Sequence, residues 1–87
     1  MIIKQGFMLR EVAGNFVVVA IGEASKKFNG VINLNESGAF LWKQLTKEVT
    51  KEQLLEALLN EYDVSEEIAK NDIDKFINKL KEADILE

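Results

Sequence analysis

The sequence predicts an α+β fold, a small three-stranded antiparallel sheet followed by three helices. Two changes of pattern carry this reading. Residues 7–34 are β-rich and interrupted by turn residues, whereas residues 35–87 repeat apolar side chains every three to four positions. Strands gathered ahead of helices, instead of alternating with them, are the α+β arrangement. A length of 87 residues leaves room for one domain, 1–87. With 47% apolar and 30% charged residues the chain can bury a core, which argues against disorder. Compact chains of this length have a radius of gyration of about 12 Å. That size allows a groove or a flat binding face, but no deep cavity under a lid.

The first element is a hairpin. Residues 7–13 and 16–21 are β-rich runs separated by Gly14 and Asn15, two residues that tolerate positive φ. The Gly-first order favours a type II′ turn, with type I′ as the alternative. The run 16–21 is unbroken apolar, as expected of a central strand. Residues 22–30 read as a loop, with Phe28 folding back onto the core. Val31, Ile32, Asn33 and Leu34 form a short third strand.

Periodicity changes at Asn35, the expected cap of a helix reaching about Thr46, with Glu36 favoured by the dipole. Leu41, Trp42 and Leu45 share one face of that helix and read as core. Gly38 costs about 1 kcal/mol relative to alanine in a helix, so a packing reason is expected for it. Thr50 and Gln53 form a capping box for a second helix to about Asn60, with Leu54, Leu55, Leu58 and Leu59 as its core stripe. Ser65 caps a third helix over 66–83, whose apolar set is Ala69, Ile73, Phe76, Ile77, Leu80 and Ala83. Ile85 and Leu86 are expected to dock back on the core.

Composition weighs against whole classes of function. The chain has no cysteine, hence no disulfide framework, thiol nucleophile or thiolate metal site. It has no histidine, the commonest general base and catalytic metal ligand, so Ser25, Ser37 and Ser65 lack an activating imidazole. No catalytic residue, metal site or cofactor is assigned, and the chain reads as a non-enzyme. Glu48, Glu52 and Glu56 recur every four residues, yet such runs usually face water. Net charge is −4. Residues 36–87 hold seven lysines against thirteen carboxylates, a balance that disfavours binding to nucleic acid. The longest apolar run is six residues, far below the ~20 needed to span a membrane. Residues 1–6 have no signal-peptide pattern, and a cytoplasmic location is expected.

The third strand is the more informative feature. In a meander it lies at an edge, and edges are usually blunted by charge or proline. Val31, Ile32, Asn33 and Leu34 carry no charge, and the whole chain has no proline. Two readings follow: a template for an added strand, or an edge covered by a loop or helix.

The segment 28–42, Phe-Asn-Gly-Val-Ile-Asn-Leu-Asn-Glu-Ser-Gly-Ala-Phe-Leu-Trp, resembles the centre of the PqqD-like proteins, the recognition elements for precursors of ribosomally made, modified peptides. Thr50 to Leu55, then Tyr62-Asp63-Val64, then a long helix ending in Ile85-Leu86 extend the resemblance over the whole chain. Asp84 departs from it, since many relatives carry glycine there; the departure concerns the helix C-cap. The resemblance implies a winged helix-turn-helix-like fold that binds the leader of a precursor peptide by strand addition. Carried onto this chain, backbone pairing comes from Val31, Ile32, Asn33 and Leu34. The groove wall comes from Ile73, Phe76, Ile77 and Leu80, with Lys70 or Lys75 engaging leader acids. The implied partners are the leader and a peptide-modifying enzyme of radical-SAM, cyclodehydratase or peptidase type.

The same fold admits two other roles. A DNA-binding winged helix is disfavoured because residues 66–84 hold four lysines against six acids, where a DNA reader carries a basic stripe. The other is a structural module that dimerises through the third strand, so the chain is expected as a monomer or homodimer.

Overall fold

A computed structural model describes residues 1–28 and 30–87; Asn29, part of the expected loop, lies outside them. The elements are β1 (Phe7–Val12), β2 (Asn15–Ala20), a one-turn helix α1 (Ala24–Lys27), β3 (Ile32–Leu34), α2 (Glu36–Gln44), α3 (Lys51–Glu61) and α4 (Glu66–Glu82). The three strands form one antiparallel sheet in the order β1-β2-β3. It is the expected α+β, winged helix-turn-helix-like fold, with a radius of gyration of 12.8 Å. The expected loop contains the extra turn α1, and β3 begins at Ile32, leaving Val31 outside the strand and 55% exposed.

The hairpin turn falls one residue earlier than Gly14-Asn15. Val12 pairs with Asn15, and the central residues are Ala13 (φ 52°) and Gly14 (φ 81°). Positive φ at both central positions is the type I′ pattern. A left-handed alanine costs roughly 1–2 kcal/mol. Slipping the register by one residue would instead turn the core face outward. That face includes Val18, fully buried opposite Leu9 and Ile32. Burying one such side chain contributes about 1.5–3 kcal/mol, and several would be lost together, so packing decides the turn.

The core joins Val18 and Leu34 of the sheet to Leu41, Trp42 and Leu45, to Leu54 and Leu58 of α3, and to Ala69, Ile73, Ile77 and Leu80 of α4. Trp42 is a core residue, 3% exposed. Leu55, Leu59 and Phe28 are partly buried and pack against this cluster, Phe28 meeting Phe7 edge to face with ring centroids 5.5 Å apart. Glu48, Glu52 and Glu56 are all exposed, and Glu48 precedes α3, where it pairs with the amino group of Met1.

The helix ends follow local rules. Asn35, Thr50 and Ser65 each accept a hydrogen bond from the backbone N–H three residues on, and the Gln53 side-chain oxygen in turn accepts from the Thr50 N–H. α4 closes in a Schellman motif: the Asp84 amide donates to Lys81 and the Ile85 amide to Leu80. Asp84 occupies the left-handed position with φ 58°, the place where glycine is favoured. Ile85 and Leu80 are both fully buried beneath it, and Ile3 bridges Leu86 alongside. No described helix is long and apolar enough to cross a membrane.

Candidate functional site: the β3 edge and its groove

The hairpin dictates which backbone groups of β3 are free. In a two-residue hairpin the closing pair exchanges both hydrogen bonds, so Asn15 faces β1. Direction alternates along a strand, so Val17 and Val19 also face β1 while Phe16 and Val18 face β3. Phe16 pairs with Leu34 and Val18 with Ile32. Ile32 and Leu34 therefore direct their backbone groups at β2, and Asn33 directs its N–H and C=O away from the sheet. An independent contact agrees: the Lys79 ammonium donates to the Asn33 carbonyl at 3.2 Å, across 46 positions of sequence.

A groove of about 190 Å³ runs beside this edge. One side is Asn33, Leu34 and the start of α2 at Asn35, Ser37 and Gly38; the other is Asp72, Lys75, Phe76 and Lys79, with Leu41 between them. Asp72, Lys75, Phe76 and Lys79 are spaced i, i+3, i+4, i+7 and so form one stripe of α4. Gly38 lets α2 come this close to β3, since a Cβ there would stand 3.1 Å from the Asn35 Oδ1 and 3.4 Å from the Leu34 Cβ.

The expected site residues separate in space. Asn33, Leu34 and Phe76 line the groove. Ile73, Ile77 and Leu80 are almost wholly buried in the core and hold α4 to the rest of the molecule. Lys70 pairs with Glu66 at 3.4 Å and borders a second cleft with Ile73, where Lys51 also pairs with Asp74. Lys75 does face the groove. Asp72 and Lys79 also line the groove; the sequence signal for them is their helical spacing to Phe76, whereas the apolar stripe of α4 marks its core face. Among the described residues, no group of three or more Asp or Glu side chains is placed to hold a metal ion.

Two titrations are displaced, both outside the groove. A hydrogen bond from Lys4 at 2.7 Å, helped by the charges of Lys4 and Lys27, holds the Asp84 carboxyl below its ordinary value. Burial raises the Tyr62 phenol, and Glu36 and Glu61 raise it further.

Comparison with known proteins gives two findings. The family model described as Coenzyme PQQ synthesis protein D (PqqD) matches residues 7–86. Among solved structures, TbiB1 in complex with the TbiA(beta) leader peptide superposes with a TM-score of 0.76, covering 100% of this chain and 95% of that one at 20% identity. At such identity the likeness is one of fold. None of the curated protein sequences matches. With the family model spanning both the edge strand and the long helix across the groove, the chain belongs to the PqqD family.

Proposed function

We propose that the chain is a non-catalytic peptide-binding domain that takes up the leader of a ribosomally made precursor as an added antiparallel strand on β3. The observation that carries this reading is the outward N–H and C=O of Asn33, set beside a groove whose far wall is α4. Strand addition draws affinity from main-chain hydrogen bonds and specificity from side-chain pockets. The β3 edge offers one full residue, Asn33, with Val31 next in phase, so the ladder is short. Phe76 and Leu41 supply the apolar floor and Lys75 and Lys79 a charged rim. That the structurally similar TbiB1 is in complex with a leader peptide supports a leader peptide as the ligand. A tethered leader raises the effective concentration of the remaining precursor at a modifying enzyme, the proposed second partner.

The test is a titration of the labelled domain with the leader of a cognate precursor. Amide signals of residues 31–34 and of the Asp72–Lys79 stripe should move. Shifts confined to residues 22–28, or to the Lys70 cleft, would contradict the proposal.

A further inference from the structure

Lys79 holds the carbonyl that an added strand would use. Neighbouring strands lie about 4.8 Å apart, and the Lys79 ammonium sits 3.2 Å from the outward carbonyl of Asn33. An incoming backbone N–H needs that same acceptor at about 2.9 Å. The ammonium and an incoming N–H therefore draw on one acceptor. Lys79 has no carboxylate partner among the described residues, and neither has Lys75, whereas Lys51 and Lys70 outside the groove are both paired.

Resting on the strand-addition reading above, we propose that Lys79 is the specificity-determining residue of the groove. It holds the Asn33 carbonyl in the free protein, yields it to the added strand, and favours peptides that bring an Asp or Glu side chain to receive the displaced ammonium. A peptide without a carboxylate leaves Lys79 with water alone. The β3 strand of a second copy, Ile32-Asn33-Leu34, is such a peptide, so the same contact weighs against self-pairing at this edge. Asp72 sets the polarity. It lies seven residues before Lys79, about 10 Å along α4, and repels a carboxylate at its own end of the groove. The favoured peptide is thus apolar and extended, with one acid beside Asn33.

The experiment needs no identified precursor. A displayed library of randomised twelve-residue peptides is selected against the wild-type domain, Lys79→Met and Lys79→Glu. Binding of every recovered peptide is then checked against Asn33→Pro. Lys79 is exposed, so its substitution leaves the core untouched. Peptides recovered on the wild type should carry Asp or Glu at one fixed position about 1.5- to fivefold above the starting pool, the range of an exposed ion pair. That preference should vanish on Lys79→Met and turn to Lys or Arg on Lys79→Glu. Peptides that need an intact Asn33 but show the same composition on wild type and Lys79→Met would overturn the role of Lys79 and leave strand addition standing. No enrichment, or binding indifferent to Asn33→Pro, would overturn both.

Discussion

The Asn35 side chain accepts the Gly38 amide at 2.7 Å, and through that bond the end of the edge strand is fixed to the start of α2. The carbonyl oxygen that caps the helix is also the atom that a Cβ on Gly38 would crowd at 3.1 Å. Replacing Asn35 by alanine should lower stability by about 1 kcal/mol, the usual worth of such a cap. Gly38→Ala should also destabilise despite the better helix propensity of alanine, because Asn35 cannot retreat without losing its bond. Thermal unfolding of both variants checks this; a gain for Gly38→Ala would show that the β3–α2 junction is slack.

Proline separates the two directions of β3. At Asn33 it deletes an N–H that points away from the sheet, so leader binding should fall at least tenfold while the melting temperature changes little. At Ile32 it deletes a bond to β2, so stability itself should fall. Calorimetric titration and thermal melts of the two variants distinguish these outcomes.

Groove and core on α4 should respond differently. Leu80→Ala empties a fully buried position and should cost 2–5 kcal/mol of stability. Lys70→Met, facing the other cleft, should leave leader affinity within about twofold of wild type. A large loss of affinity at Lys70 would relocate the site.

The turn can be improved. Asn-Gly is the preferred pair for a type I′ turn, and Ala13 holds its first position at φ 52°. Ala13→Asn should stabilise the domain by about 0.5–1 kcal/mol, relieving part of the left-handed strain. Denaturant unfolding measures it, and a loss would argue for a different turn.

The exposed Asp84 should contribute a small part of the acid dependence of stability. Its carboxyl titrates below its ordinary value in the folded domain because Lys4 donates to the ionised form. The contribution is therefore present above the unfolded value and disappears as pH falls through the lower folded value. Asp84→Asn should remove that part of the acid-induced loss, seen as a shallower decline of melting temperature below about pH 4. Asp84→Gly should in addition relieve the positive φ.

Much of this molecule is legible in its sequence. Asn35, Thr50 with Gln53, and Ser65 announce their helices because a cap bonds only three residues along the chain. The apolar stripe of α4 follows from the helical repeat, and the absence of histidine, cysteine and proline is read directly. The edge position of the third strand follows from meander order. Three things do not follow. The turn moved to Ala13-Gly14 because the register that buries Val18 outweighs the φ preference of one alanine. Asn33, and neither Ile32 nor Leu34, offers its backbone because that parity is inherited through β2 from the hairpin, eighteen residues away at Asn15. Lys79 reaches Asn33 across 46 positions, a contact created only when α4 packs beside the sheet. Local hydrogen bonds and periodicity are properties of neighbouring residues, so the sequence alone determined the elements and their caps. Register and packing couple distant residues, so only the tertiary structure decided which backbone groups stay open and which lysine stands over them.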